Sequence, residues 1–179
     1  MSHYRIPSAN LRAILGPLTA DAPDLSILHQ DDSFGRLNLR VDFVGGRTQH
    51  ITGDGNCAFR AVSHATYGNE AAHPMYRALA VGHVVGNVAL HDFFSGGFNR
   101  RQYISEMLIP CSPDQTVEEN RRGWASQVEI MALGLTLGLN IFVVQDWTTM
   151  SWIEHDFGFS TAICLAFHGG RHYDIVGFY

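Results

Sequence analysis

One cysteine in the chain stands where a nucleophile could be placed. Cys57 follows the run ITGDGN at positions 51–56 and opens a helical pattern that ends at Gly68. A thiol in the first turn of a helix lies at the positive end of the helix dipole, which favours the attacking thiolate. Gly53 and Gly55 predict a tight turn whose backbone N–H groups could stabilise an oxyanion. The alternative is that Cys57 is a small buried apolar residue, and this segment alone favours neither interpretation.

The same turn also satisfies a pattern of dinucleotide-binding folds. Gly53, Gly55 and Ala58 match G-x-G-x-x-G/A between a possible strand and a helix. That fold needs a βαβ unit with an acidic residue about 20 residues further on, yet here a second helical pattern follows the first. In addition, the carboxylate of Asp54 lies inside the turn, where it would oppose a pyrophosphate. The surroundings therefore favour the nucleophile.

A catalytic thiol requires a base and a third group that orients the base. The best placed of the ten histidines is His172, because it follows the Gly-Gly turn at positions 169–170 and begins the last predicted strand. Since side chains alternate along a strand, His172 and Asp174 share one face, and the carboxylate can accept the imidazole Nδ1–H. The alternative for His172 is a surface histidine in a turn.

A metal site is not expected. His168 and His172 form an H-x-x-x-H pair, but they flank the Gly-Gly turn instead of sharing a helix face. No second cysteine stands near them in the sequence, as a zinc site would suggest. We therefore expect neither a metal nor any other cofactor.

The N-terminal part of the domain is predicted to contain two strands before the turn and two helices after it. An alternation of apolar and polar residues over positions 37–43 predicts a half-buried strand that points one set of side chains to the core: Leu37, Leu39, Val41 and Phe43. A short strand over 47–51 follows the turn at Gly45 and Gly46. The helix that begins near Cys57 is followed by another from about Pro74, a residue suited to a first helical position.

The C-terminal part is predicted to contain two helices and then a run of strands. A helix over 100–109 and a loop at 110–114 precede a capping box at Thr116 and Glu119. The helix that follows places four residues on one stripe: Trp124, Val128, Met131 and Leu135. The apolar run 141–144 indicates a strand covered on both faces, and further strands are predicted over 150–155, 162–167 and 172–178. This order predicts an α+β domain with a mostly antiparallel sheet.

The composition fits one compact domain. The chain has 179 residues, of which 46% are hydrophobic and 16% charged. We assign residues 36–179 to the domain and residues 1–35 to an N-terminal extension of uncertain structure. The net charge of −5 argues against a nucleic-acid surface. The stretch 130–145 is shorter than the roughly 20 apolar residues of a spanning helix, so no membrane partner is expected either.

The cysteines and the N-terminus indicate a reducing compartment. Cys57, Cys111 and Cys164 are an odd number, widely spaced, and form no C-x-x-C pair, which fits free thiols better than disulfides. The N-terminus lacks the apolar stretch of a secretory signal. We therefore expect a cytoplasmic monomer, located in the host cytosol if the source is a virus or a bacterium.

Together, the two candidate catalytic blocks resemble the ovarian tumour (OTU) family of cysteine proteases. DGNCAFR at positions 54–60 is similar to the family signature D-G-N-C followed by an apolar residue, Phe and Arg. HYDI at 172–175 is similar to its histidine block, while YISEM at 103–107 and the segment from Trp124 to 143 resemble weaker motifs between them. Departures are Ala58, where a larger apolar residue is usual, and Ala125 and Ser126, where glycines commonly follow the Trp.

The resemblance implies a papain-like fold and a deubiquitinase, which hydrolyses the bond after the C-terminal Gly-Gly of ubiquitin or polyubiquitin without a cofactor. It further implies that Cys57 is the nucleophile, His172 the base and Asp174 the group that orients it. The backbone N–H groups of Asp54 and Cys57 would form the oxyanion hole, so that the Asp54 side chain need not act as an acid. We expect Tyr173 or Trp124 to wall or support the substrate channel, although a core position is the simpler expectation for Trp124.

The sequence is also compatible with three other functions. An OTU-type protease could act on a ubiquitin-like modifier or on a viral polyprotein. The domain could also bind ubiquitin with little turnover, although intact Cys57, His172 and Asp174 favour an enzyme because a binding module has no physical need for all three.

Overall fold

A single mixed sheet organises the chain. The computed structural model describes residues 4–20, 32–108, 121–147 and 151–179. Its strands are β1 (Ile6–Pro7), β2 (Gly46–Gln49), β3 (Asn140–Gln145), β4 (Trp152–His155), β5 (Thr161–His168) and β6 (His172–Phe178). The sheet order is β2-β6-β5-β3-β4, and β1 adds to β5. Only the β3–β5 pair is parallel among the described strands, which confirms the predicted α+β class with a mostly antiparallel sheet.

Helices cover both faces of this sheet. They are α1 (Ser8–Leu15), α2 (Pro17–Ala20), α3 (Ser33–Phe43), α4 (Cys57–Tyr67), α5 (His73–Gly86), α6 (Arg100–Met107) and α7 (Gln127–Leu137), with a 3₁₀ turn at Val88–Phe93. None of the described helices is long and apolar enough to cross a membrane.

The sheet separates two apolar cores because its strands alternate their side chains. In β3, Ile141 and Val143 face the core shared with α4, α5 and α7, whereas Phe142 and Val144 face the core shared with α1 and α3. All six residues of β3 are buried. The prediction of a strand covered on both faces at 141–144 is therefore confirmed.

The predicted strand over 37–43 is wrong, because these residues belong to the helix α3. The apolar alternation also contains the helical pair Leu37 and Val41, and the helix buries these two together with Arg40. Phe43, which a strand would have buried with them, is exposed. The carboxylate of Asp32 accepts a hydrogen bond from the Gly35 N–H at 2.8 Å and caps the helix, a signal that lies outside the alternating window.

The N-terminal segment packs on the sheet as far as the structure describes it. Leu11, Leu15 and Leu18 are fully buried in the core that contains α3. Arg12 pairs with Glu154 on β4 and with Asp156 just after that strand. The predicted boundary at residues 35 and 36 falls inside α3. Residues 1–3 and 21–31 lie outside the described ranges.

The helix α7 begins later than predicted and buries a different stripe. Ser126 is its N-cap and forms a reciprocal capping box with Glu129. Trp124 therefore precedes the helix, and Met131 and Leu135 are only partly buried, while Ile130 and Leu133 are fully buried. The loop at 110–114, Cys111 and the predicted capping box at Thr116 and Glu119 lie outside the described residues.

Candidate active site

The candidate nucleophile opens a helix directly after a glycine turn. Cys57 is the first residue of α4, which ends at Gly68 in the left-handed conformation, as the helical pattern predicts. Gly55 has φ 81°, a conformation that favours glycine. The Asn56 N–H donates to Asp54 Oδ1 at 3.0 Å and closes the turn. Among the described residues, no group accepts a hydrogen bond from the N–H of Asp54, Gly55 or Cys57.

The candidate base enters the site from a tight turn between β5 and β6. Gly169 and Gly170 have φ 60° and 66°, so the turn requires residues that tolerate the left-handed region. His172 begins β6, and its Nε2 lies 2.9 Å from Asp174 Oδ1. The prediction that the two residues share a strand face, and that the carboxylate binds the ring, is confirmed.

The prediction that Nδ1 of His172 faces the carboxylate is wrong. Nε2 of His172, and not Nδ1, contacts Asp174. The reason is the position of the thiol, which lies against the backbone on both sides of the histidine. Cys57 Sγ accepts a hydrogen bond from the Tyr173 N–H at 3.4 Å and lies 4.0 Å from the Arg171 carbonyl oxygen. Nδ1, the ring nitrogen nearer the backbone, is thus the one left for the thiol.

Asp174 is fully buried and has several donors. It accepts hydrogen bonds from the Ile51 N–H at 2.8 Å and from the rings of His172 and His168, the latter at 3.2 Å. Burial alone would raise the pKa of Asp174, but hydrogen bonds from His168, His172 and Ile51 outweigh burial and hold the pKa below its ordinary value. The carboxylate is therefore a fixed anion at the back of the imidazole.

His172 is stabilised in its charged form. Burial alone would lower the pKa of His172, but the hydrogen bonds and charges of Asp174 and Cys57 outweigh it and raise the pKa to about 10. An imidazolium beside a thiol is the protonation state in which the sulfur can hold a negative charge. The charged ring therefore lies beside the Cys57 sulfur, where it can act as the acid that protonates a leaving group.

The side chain of Asp54, the fourth predicted site residue, binds other residues of the turn and of α4. Its carboxylate binds the Arg60 guanidinium, with the shortest contact at 2.6 Å. Burial would raise the pKa of Asp54, yet hydrogen bonds from Arg60 and Asn56 lower it to about 2. The carboxylate is therefore a structural anion, and only the backbone N–H of Asp54 is free to serve the site.

The thiol and the imidazole line one open cavity of about 400 Å³. Trp124, for which a core position was the simpler expectation, lines this cavity. Its other walls include three residues that were not predicted as site residues from the sequence: Ser33, His50 and His168. His50 directly precedes Ile51, whose N–H binds Asp174, and its ring stacks on that of His172 with centroids 5.2 Å apart. The H-x-x-x-H spacing with His172 was the one feature of the sequence that singled out His168, whose ring binds the Asp174 carboxylate.

A second cavity of about 310 Å³ adjoins the first at the turn between β5 and β6. Gly170 and Tyr173 line it, whereas their neighbours Gly169 and His172 line the catalytic cavity. Its remaining walls come from the segment before α7 and from β3, β4 and β5. Tyr173, expected to wall the channel, is buried and lines this second cavity.

One group of side chains among the described residues has the spacing of metal ligands. Ligand atoms of His50, His172 and Asp174 lie within 4.8 Å of one another. Nδ1 of His50 and Nε2 of His172 already lie 3.2 and 2.9 Å from Asp174 Oδ1, which also accepts a hydrogen bond from the Ile51 N–H. These contacts make the group part of the histidine–carboxylate pair, and we assign no metal to it.

Comparison with known proteins gives one family. Residues 52–173 match the family model described as OTU-like cysteine protease. A similar relative is OVARIAN TUMOR DOMAIN-containing deubiquitinating enzyme 7 of Arabidopsis thaliana, 26% identical over 148 residues that cover 82% of this chain and 37% of the relative. The chain spans less than half the length of the curated relatives that it matches.

Solved OTU domains share the fold. The OTU domain of OTUD1 superimposes with a TM-score of 0.60 at 24% identity, covering 80% of this chain and 93% of that domain. An OTU domain solved in complex with ubiquitin gives a TM-score of 0.58 at 20% identity, covering 73% of this chain and 69% of that one. These similarities agree with the predicted papain-like architecture.

Proposed function

Because the chain belongs to the family of OTU-like cysteine proteases, we propose that it is a deubiquitinating enzyme, which hydrolyses the bond after the C-terminal Gly-Gly of ubiquitin. The observation that carries this proposal is the meeting of the Cys57 thiol with the His172–Asp174 pair in one open cavity. The names of its curated relatives, which are deubiquitinating enzymes, support the substrate class.

In the proposed first step, the Cys57 sulfur attacks the carbonyl carbon of the terminal glycine. His172 holds the proton of the thiol, and its pKa near 10 keeps it protonated at neutral pH. Asp174 keeps the ring in place because its carboxylate is itself held by the Ile51 N–H and by His168. The attack forms a tetrahedral intermediate with a negative oxygen.

The turn before Cys57 supplies the groups that would stabilise that oxygen. The N–H groups of Asp54 and Cys57 have no acceptor among the described residues, and they lie at the positive end of α4. His172 then donates its proton to the leaving amine, the C–N bond breaks, and a thioester remains on Cys57. Water then attacks the thioester while His172 takes a proton from it, the C–S bond breaks, and the glycine carboxylate leaves. Cys57 is thereby freed with the proton again on His172.

The shape of the cavity supports a substrate with small residues at the cleaved end. A Cβ on Gly53 would lie 3.4 Å from the His172 ring, so the turn and the imidazole are already close. Trp124 faces them from the segment before α7. These three residues and Cys57 line the same cavity, so glycines at the cleaved end of a substrate would meet the least steric hindrance there.

The proposal is tested by hydrolysis of a fluorogenic amide on the ubiquitin C-terminus. We expect turnover by the wild type and complete loss in Cys57→Ala. Cys164→Ala is the matched control, because Cys164 is a buried thiol in the core that contains α1 and α3. Wild-type protein that is folded and hydrolyses no ubiquitin amide contradicts the proposal.

The same assay separates the other candidate substrates. Amides of ubiquitin-like modifiers, tested beside the ubiquitin amide, would identify a protease for a different modifier. Binding of ubiquitin without turnover of any amide would identify a binding module. A cytoplasmic location remains part of the proposal, since three widely spaced cysteines fit free thiols in a reducing compartment.

A further inference from the structure

A buried arginine lies directly beneath the nucleophile turn. Arg77, on α5, is 6% exposed. Its Nη2 donates to the Asn56 side-chain oxygen at 2.7 Å and to the Gly55 carbonyl oxygen at 3.3 Å, and its Nε also donates to Asn56 Oδ1. The guanidinium carbon lies 4.4 Å from the centre of the Phe59 ring on α4. One cation thus contacts residues on both sides of Cys57.

Asn56 occupies the N-cap position of α4 but does not cap the helix. Asn is among the preferred N-cap residues because its side-chain oxygen accepts the free N–H groups of the first turn. Here that side chain makes no capping hydrogen bond. Its oxygen accepts two N–H groups of Arg77 in their place.

We infer that Arg77 is a positioning residue of the oxyanion hole. By binding Asn56 Oδ1, it holds the residue that directly precedes Cys57 and so fixes the direction of the Cys57 N–H. By binding the Gly55 carbonyl, it fixes the peptide between Asp54 and Cys57. This inference rests on the proposed function, because it requires an acyl intermediate whose oxygen needs these donors.

The same guanidinium joins the turn to the cavity wall. Its Nη1 donates to the carbonyl oxygens of Met107, at the end of α6, and of Gly123, at 2.9 and 2.6 Å. Gly123 directly precedes Trp124, which lines the catalytic cavity. A lysine cannot serve these separated acceptors, since its ammonium is a compact point charge without the planar fork of arginine.

Two variants test the inference, with two rates measured on each. Hydrolysis of the ubiquitin amide needs the oxyanion hole, whereas alkylation of Cys57 by iodoacetamide needs only the nucleophilic sulfur. For Arg77→Lys we expect the hydrolysis kcat to fall by about 10–100-fold while the alkylation rate stays within about 3-fold. Asn56→Ser should give the same fall of the hydrolysis kcat relative to the alkylation rate, because the serine side chain is too short to reach Arg77. The Tm of each variant is measured beside the rates, because a buried guanidinium that loses an acceptor also costs stability.

Arg40→Lys is the matched control. Arg40 is another fully buried arginine, on α3, and it donates to the Gln145 carbonyl. We expect a lower Tm and an unchanged ratio of the two rates. Folded Arg77→Lys and Asn56→Ser proteins that keep the wild-type ratio overturn the inference, as does an equal fall of both rates. A wild type that is alkylated but never hydrolyses the amide overturns the proposed function, and the inference falls with it.

Discussion

The backbone N–H of Tyr173 donates to the sulfur of Cys57 at 3.4 Å, although 116 positions separate the two residues. This contact joins the start of α4 to the start of β6. It places the thiol beside His172, which immediately precedes Tyr173. The candidate site is therefore centred where the start of α4 meets the start of β6, here called the helix–strand junction. Each part of that junction can be tested separately.

The donors to Asp174 should differ in their effect on catalysis. His168 is largely buried, and its ring binds Oδ2, whereas His50 is 72% exposed. We expect His168→Ala to lower kcat by up to about 10-fold, the effect of one lost hydrogen bond to a buried carboxylate. His50→Ala should change kcat less, because exposed contacts of this kind contribute little. Steady-state kinetics of the two variants, with KM separated from kcat, check this order, and a larger loss in His50→Ala would contradict it.

The Asp54 side chain should stabilise the turn without taking part in the chemistry. Asp54→Asn removes the charge that binds Arg60 but keeps an oxygen that can accept the Asn56 N–H. Because this ion pair is partly exposed, we expect a loss of less than about 1 kcal/mol in the free energy of unfolding. The kcat should stay close to that of the wild type. A loss of activity comparable to that of Asp174→Asn would show that the carboxylate has a catalytic role.

His172 should make stability depend on alkaline pH. Its pKa is raised from 6.5 to about 10 on folding, so its contribution is complete below pH 6.5 and is lost as the pH rises through about 10. The difference in unfolding free energy between wild type and His172→Gln should shrink over that range, and by less than the full pKa shift would give, because solvent screens a ring that is only partly buried. Urea titrations at several pH values measure this difference.

His155 provides a control of opposite sign for that experiment. Burial lowers the pKa of His155, so its charged form is disfavoured in the folded state. The wild type should therefore lose stability relative to His155→Gln as the pH falls below 6.5. Equal pH dependence in the two histidine variants would contradict both assignments.

Two helical glycines should respond oppositely to alanine. A Cβ on Gly134 of α7 would lie 2.5 Å from the Phe157 ring and 2.9 Å from the Leu139 carbonyl oxygen, so we expect Gly134→Ala to cost about 1–3 kcal/mol. A Cβ on Gly82 of α5 would meet nothing within 4 Å. Gly82→Ala should therefore stabilise the fold by about 0.5–1 kcal/mol. Denaturant unfolding of the pair checks both signs.

Turn residues and apolar patterns in the sequence correctly predicted those helix ends and strands that are determined by residues close together in the chain. The start of α4 at Cys57, its end at Gly68 and the buried strand β3 follow from turn residues and apolar runs. The helix α3 was missed because its apolar spacing fits a strand and a helix equally, and the cap at Asp32 that decides between them precedes the pattern.

Contacts in the site between residues that are far apart in the sequence could not be predicted. His172 and Asp174 are close in sequence, so strand alternation was enough to pair them. Arg77 approaches Asn56 from a separate helix, and no pattern in the sequence relates the two. The choice of Nε2 over Nδ1 on His172 depends likewise on where the thiol lies, which is decided by the packing of α4 on β6.

The most direct test of the central claim is covalent capture by ubiquitin that carries an electrophilic group at its C-terminus, measured by intact mass. We expect a single adduct on the wild type, no adduct on Cys57→Ala and strongly slowed capture by His172→Ala. An adduct that persists in Cys57→Ala, or a folded wild type that captures no ubiquitin, would contradict the claim that Cys57 is the nucleophile of a deubiquitinating enzyme.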